Sequence, residues 1–153
     1  MILTTTRSKV TAIVLGALII FQLIPLEKHT GRDDPEKDII VVENVNEEVT
    51  AILKKACYDC HSIKTVYPWY AGVAPVSWWI VHHVNEGREH LDFSTWSDYD
   101  AKKRDHKLEE LAEEVEEGAM PLNPYVWMHG EAKLTEQERT LLVDWANGLR
   151  TIK

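Results

Sequence analysis

The chain contains two cysteines, and they lie two residues apart with a histidine directly after the second, in the stretch ACYDCHS from Ala56 to Ser62. A C-x-x-C pair of this kind is typical of a redox-active dithiol, of part of a zinc site, or, when histidine follows, of a covalent haem attachment site. Each of these sites needs a different fold around it. The secondary structure predicted on either side of the motif therefore decides among them.

An amphipathic helix is predicted immediately before the motif. Asn44 or Asn46 can cap its first turn, where Glu47 and Glu48 are favoured by the helix dipole. Apolar residues then recur at three- and four-residue spacing, namely Val49, Ile52, Leu53 and Ala56. This stripe brings Cys57 to the end of the helix.

Further helices are predicted after the motif. Prolines and a glycine in TVYPWYAGVAPVS exclude continuous helix there, and Ser77 can cap a second helix that runs to about His90. A third helix is predicted from about Tyr99 to Glu117, where Gly118 ends it. No stretch alternates convincingly at period two, so an all-α fold is expected.

The last helix has the clearest start signal in the chain. Thr135 and Glu138 form a capping box, in which each side chain bonds to the backbone N–H of the other residue. An apolar stripe follows, formed by Leu141, Leu142, Trp145 and Leu149. This helix is therefore expected to pack its stripe on the core.

The amino-terminal sequence predicts location. Residues 10–26, VTAIVLGALIIFQLIPL, are apolar except for a threonine and a glutamine, and Arg7 and Lys9 precede them. This pattern fits either a signal-peptide core or a membrane anchor, and we favour an uncleaved signal-anchor over residues 1–26 because no small-x-small cleavage pair follows the run. The basic residues before the run place the rest outside the cytoplasm. We expect a bacterial inner-membrane protein with a polar linker at residues 27–43 and a periplasmic domain at residues 44–153.

Composition excludes one class of partner. The chain has 25 acidic against 17 basic residues and a net charge of −8, which disfavours nucleic acid because binding to phosphates depends on Lys and Arg. The chain also has six tryptophans, whose large flat rings are useful in a core or against a flat cofactor.

The helical surroundings favour one interpretation of the motif. A thioredoxin-like dithiol needs a strand before it and a βαβ unit around it. A zinc site would need two further ligands from His82, His83 and His90, but adjacent histidines point to different sides of a helix. A c-type haem requires two thiols for its two vinyl groups and an adjacent imidazole for the iron, and Cys57, Cys60 and His61 supply them.

A low-spin haem would need a sixth ligand as well. Met120 lies in EEGAMPLNPY, after the helix-ending glycine and before Pro121, on a segment that cannot return directly to helix. We predict Met120 as this ligand. The alternatives are His83 and, in VWMHG, Met128 or His129.

Two segments carry a resemblance to a known family. They are CYDCHS with the following YPWYAGVAPVSWWIVHHVNEGREHLDFSTW, and GAMPLNPYVWMHGEAKLTEQERTLLVDWA. Over roughly residues 44 to 150 the chain resembles the bacterial haem-binding domain family of small exported proteins with one C-x-x-C-H. More broadly, it is similar to class I cytochromes c.

The resemblance implies a cytochrome c-like bundle of about four helices around one covalently attached haem c. It implies that Cys57 and Cys60 carry the thioethers, that His61 is the proximal ligand and that Met120 is the distal one. In class I cytochromes c a proline carbonyl after the motif orients the proximal imidazole, and the resemblance indicates Pro75, or else a proline at position 68, for this role.

The residues around the motif receive simpler expectations. The two inner residues, Tyr58 and Asp59, are expected at the surface. Five aromatic residues are expected to border the haem or bind its propionates, namely Tyr67, Trp69, Tyr70, Trp78 and Trp79.

The expected function is outer-sphere electron transfer to a protein partner that the sequence does not identify. We expect an electron carrier with no catalytic residues rather than an enzyme. Two alternatives remain: a haem sensor or peroxidase-like enzyme with a labile sixth ligand, and a zinc-structured interaction module without haem.

Overall fold

The computed structural model describes residues 6–24, 28 and 31–150. In this part of the chain there are eight α-helices and no β-strand, so the predicted all-α class is confirmed. The helices are α1 (Thr6–Gln22), α2 (Ile39–Val42), α3 (Glu47–Ala56), α4 (Tyr58–His61), α5 (Val76–His90), α6 (Ala101–Glu116), α7 (Asn123–Met128) and α8 (Glu136–Leu149). Short 3₁₀ turns lie at Pro35–Lys37, Trp69–Gly72, Phe93–Asp98 and Gly130–Ala132.

The main core lies where α3, α6 and α8 meet. α6 packs along α8, and α3 packs against α8 and carries the motif at its carboxyl end. The predicted stripe of α3 is fully inside, with Val49 and Leu53 both at 0% exposure. Trp96 and Phe93, from the 3₁₀ turn after α5, are the largest side chains completely enclosed among the described residues.

Side-chain caps fix where the core helices begin. The Asn46 side chain accepts a hydrogen bond from Val49 N at 2.9 Å, which selects one of the two caps predicted for α3. The capping box predicted for α8 is present in both directions. α6 ends close to the predicted position, and Gly118 follows at φ +76°, a conformation that glycine adopts without strain.

α5 begins differently from the prediction. Its first residue is Val76, Pro75 occupies the N-cap position, and Ser77 is buried inside the helix without capping it. Val81 and Val84 are buried along with it. Ser77 fails as a cap because the helix has already started before it.

The compact part of the chain starts earlier than residue 44. Asp38 caps α2 by accepting a hydrogen bond from Ile40 N at 3.0 Å, and Ile39 is completely buried in the main core. The stretch predicted as a linker at residues 27–43 therefore contains a short core helix. The charged residues that precede Ile39 hid this helix from sequence reasoning. The predicted boundary between residues 26 and 27 lies outside the described residues.

α1 exposes its apolar side chains, including Ile13, Ile19 and Ile20. None of the helices in the described ranges, α1 included, is long and apolar enough to cross a membrane, which differs from the expected spanning anchor. The end of α1 contacts the domain through Gln22, whose side-chain amide bonds to both N–H and C=O of Ala74 at 3.1 Å.

Candidate functional site

The motif occupies the turn that joins α3 to α4. Cys57 follows the last residue of α3, its N–H donating to Leu53 O at 2.9 Å. Cys60 and His61 lie on the single-turn helix α4, and both of their N–H groups donate to Cys57 O, at 3.1 and 2.9 Å. Two thiols and one imidazole are therefore held within one helical turn.

The two thiols are not activated in the manner of a redox dithiol. Burial raises the pKa of the Cys57 thiol to about 12 and that of Cys60 to about 11. Oxidoreductase thiols instead have a pKa lowered by positive charge or a helix amino terminus. The pair therefore has the electrostatics of structural or covalently used thiols.

The His61 imidazole is half-buried and fixed by a backbone carbonyl. Its Nδ1 lies 3.0 Å from Leu91 O, and burial lowers its pKa, so the neutral ring is favoured. With Nδ1–H donating to the carbonyl, the lone pair is on Nε2, which is the form of histidine that binds metals.

The carbonyl that fixes His61 differs from the one expected. The resemblance indicated Pro75 or Pro68, whereas the structure uses Leu91, the residue directly after α5. The difference has a geometric reason, since α5 packs against α4 and brings its carboxyl end to the histidine. Sequence spacing gave no signal for this contact.

Tyr58 and Asp59 were expected at the surface, but both make hydrogen bonds to residues of other segments. Tyr58 is buried, and its hydroxyl donates to Asp38 Oδ1 at 2.6 Å. Asp59 is half-buried and accepts hydrogen bonds from Tyr125 Oη at 2.8 Å and from Val66 N at 2.9 Å. The surface expectation was wrong because the turn at Cys57 rotates both side chains toward neighbouring segments.

α5 crosses the motif at Gly87. A Cβ atom at this position would lie 2.8 Å from the carbonyl oxygen of Cys60, too close for any other residue without movement of the backbone. Glycine inside a helix normally costs stability, so its presence in the middle of α5 was the available sequence signal for a close approach.

An apolar cleft of about 440 Å³ opens beside the motif. Asp59 and Cys60 are the lining residues that belong to the motif. One wall is formed by the segment after the motif and by α5, namely Thr65, Val66, Tyr67, Pro68, Trp69, Tyr70, Val76, Trp79, Ile80, His83 and Val84. A second wall is formed by α7 and its flanks, namely Leu122, Pro124, Tyr125, Met128 and His129.

The cleft has the size and chemistry of a binding site for a flat, apolar group. Four of the five aromatic residues expected to border a haem line it, whereas Trp78 faces the end of α1 instead. Trp69 is 84% exposed at the rim. The motif therefore meets the cleft at two of its residues, Asp59 and Cys60.

The predicted ligands fall in different places. Met120 is half-buried against the main core, and its N–H donates to Glu114 O at 3.0 Å. The three alternative candidates for the sixth ligand, His83, Met128 and His129, line the cleft. Met120 and His61 are not among the lining residues. Ligation by Met120 remains a prediction.

The donors for a zinc site are not assembled. Among the described residues no three side chains of His, Cys, Asp or Glu are grouped to hold a metal ion. His82 Nε2 lies 3.2 Å from Glu86 on the same exposed face, while His83 Nδ1 lies 2.8 Å from Trp79 O and turns toward the cleft. The two neighbours diverge, as expected for adjacent positions in a helix.

Comparison with known proteins gives one match. No curated protein and no solved structure matches the chain. A family model described as a haem-binding domain matches residues 16–148, a range that contains the motif, the cleft, α3, α5, α6 and all of α8 except its last residue. The chain therefore belongs to the haem-binding domain family.

Proposed function

We propose that the protein is a mono-haem c-type cytochrome-like electron carrier, with haem attached through Cys57 and Cys60. The single observation that best supports this is the state of His61, a neutral imidazole whose Nδ1 is bonded to Leu91 O so that Nε2 can bind iron. The family match supports haem as the group bound. Covalent attachment and electron transfer are the steps that the proposal adds.

The residues around the motif suit such a group. The cysteines are separated by two residues in a helical turn, and Cys60 borders a cleft whose described lining is mostly aromatic and aliphatic. A haem held there supplies one-electron chemistry between ferric and ferrous iron. The protein supplies two thiols, an oriented imidazole and walls that exclude water from one edge.

Attachment is tested with the exported protein made in a host that assembles c-type haem. Intact mass and haem staining after denaturation should show one covalently bound haem. Cys57→Ala and Cys60→Ala should each retain at most one thioether, and the double variant should lose its haem to acid–acetone extraction. Met128→Ala, which removes sulfur without removing a thiol, is the matched control. Wild-type protein whose haem extracts freely would refute the attachment.

We propose Met120 as the sixth ligand. What supports it is its place just before Pro121, on a segment tied to the end of α6 by the bond from its N–H to Glu114 O. Met120→Ala should remove the weak long-wavelength charge-transfer band of sulfur-ligated ferric haem and lower the reduction potential, whereas Met128→Ala should do neither. A band that survives in Met120→Ala and disappears in Met128→Ala would reassign the ligand to the residue that lines the cleft.

We further propose that residues 10–26 direct export and keep the protein at the inner membrane, with the haem domain in the periplasm. The basic residues Arg7 and Lys9 before an apolar run support this, as do the exposed apolar side chains of α1. Membrane fractionation with amino-terminal sequencing tests it. Holoprotein found only in the soluble fraction, or a mature chain that begins after residue 26, would refute the anchor.

A further inference from the structure

α7 is a wall of the cleft that has little to hold it in place. It has six residues, none of them buried, and Trp127 and Met128 are 79% and 62% exposed. Helices this short are unstable on their own, and most helical stability in proteins comes from burying an apolar face. The position of α7 must therefore depend on specific contacts of its side chains.

Tyr125 provides such a contact. Its hydroxyl donates to Asp59 Oδ2 at 2.8 Å, across 66 residues of sequence. Its ring stacks on His129 with centroids 4.4 Å apart and planes 24° from parallel. One side chain thus joins α7 to the motif and also orients a histidine that lines the cleft.

Asp59 serves both walls of the cleft. While Oδ2 accepts from Tyr125, Oδ1 accepts from Val66 N at 2.9 Å, and the Asp59 carbonyl accepts from Thr65 Oγ1 at 2.7 Å. Thr65 and Val66 begin the wall formed by the segment after the motif and by α5, and Tyr125 belongs to the wall formed by α7. Asp59 is therefore hydrogen-bonded to both walls.

We propose that Asp59 and Tyr125 form a latch that positions α7 against the motif and so controls the access of small molecules to the cleft beside Cys60. Asp59, an inner residue of the C-x-x-C-H motif, is then a positioning residue. The access role rests on the proposed function, because it assumes that a haem edge lies in this cleft. The latch itself does not depend on haem.

The test uses full-length exported protein and compares wild type, Tyr125→Phe, Asp59→Asn and the double variant. Hydrogen–deuterium exchange is measured on the amides of Val126 and His129, whose N–H groups donate to Leu122 O at 3.1 Å and to Tyr125 O at 2.9 Å. A hydrogen bond to a charged partner is lost in Tyr125→Phe, so exchange of these amides should accelerate on the order of ten- to a hundred-fold. The double variant should add little to either single variant.

Tyr70→Phe is the matched control, since it removes a hydroxyl from another tyrosine that lines the same cleft. It should leave α7 exchange unchanged. Unchanged α7 exchange in both Tyr125→Phe and Asp59→Asn, or effects of the two that simply add, would overturn the latch.

Access is measured on the same samples as the association rate of imidazole with the ferric protein, which should rise in Tyr125→Phe and not in Tyr70→Phe. An unchanged rate together with accelerated exchange would overturn the access role and keep the latch. The absorption spectrum and intact mass of each sample report haem independently, so protein without covalent haem would refute the proposed function whatever the exchange result.

Discussion

The main core and the cleft use the same residue types in opposite ways. Trp96 in the core is 0% exposed and its Nε1 donates to Glu43 Oε1 at 2.6 Å, whereas Trp69 at the rim of the cleft is 84% exposed. The core has helices packed on three sides. The cleft has apolar walls without an equivalent partner in the described chain, which is how binding surfaces differ from interiors.

This difference separates two demands on the sequence. The core stabilises the fold through burial that is complete in the protein alone. The cleft holds a shape, through Gly87, Asp59 and Tyr125, that becomes useful only with something inside it. Substitutions should therefore affect global stability in the first region and local order or haem incorporation in the second.

The largest expected effect is on the core. Trp96→Ala should lower the free energy of unfolding by about 3–5 kcal/mol, because it removes a fully enclosed ring and leaves a cavity. Trp127→Ala, which removes an exposed tryptophan from α7, should change it by less than about 0.5 kcal/mol. Denaturant unfolding of both variants measures the contrast, and equal losses would show that the two regions do not differ as described.

A smaller effect is expected where the two regions meet. Gly87→Ala should cost about 1–3 kcal/mol despite the better helix propensity of alanine, because the new methyl would lie 2.8 Å from Cys60 O. It should also reduce haem incorporation by shifting the motif. Gly148→Ala in α8 is the control, since no neighbouring atom lies within 4 Å of its Cβ position, and it should be neutral or stabilising. A stabilised Gly87→Ala protein would contradict the close approach.

The smallest effect concerns a surface contact of the core. The Lys55 ammonium and the Thr135 N–H both bind the Glu138 carboxylate and hold its pKa below the ordinary value of 4.5. The stability that these two interactions contribute is present above pH 4.5 and is lost as the pH falls below that value, because protonation of the Glu138 carboxylate ends both interactions.

Glu138→Gln should therefore lower stability by less than about 1 kcal/mol at neutral pH and reduce the loss of stability below pH 4.5. The free energy of unfolding measured between about pH 3 and 7, a range that spans the usual carboxylate titration, tests this prediction. Glu136→Gln, in the same helical turn, is the control and should leave the pH dependence closer to wild type. A wild-type pH profile in Glu138→Gln would contradict the assignment.

The sequence predicted what depends on local patterns. The apolar stripe of α3 was recognisable because apolar residues at spacings of three and four indicate an amphipathic helix. The capping box of α8 was recognisable because a threonine followed three residues later by a glutamate indicates the start of a helix. The motif itself was recognisable because the two cysteines have no competitor. These features placed Cys57 and its neighbours correctly at the end of a helix.

What the sequence missed depends on contacts between distant segments. Leu91 fixes His61 across 30 residues, and Tyr125 binds Asp59 across 66. Such pairs have no periodicity, and a leucine contributing only its carbonyl has no distinguishing side chain. Ile39 was missed for another reason, since a single turn of helix among charged residues is too short to show an apolar period.

The position of Leu91 links the electronic character of His61 to the length of a helix. Leu91 directly follows α5, so the carbonyl that accepts the hydrogen bond from the imidazole moves with the carboxyl end of that helix. With the proposed haem bound, this hydrogen bond would make the imidazole a more basic ligand, which favours the higher oxidation state of iron. Substitutions at the carboxyl end of α5 would then shift the reduction potential while His61 itself is left unchanged.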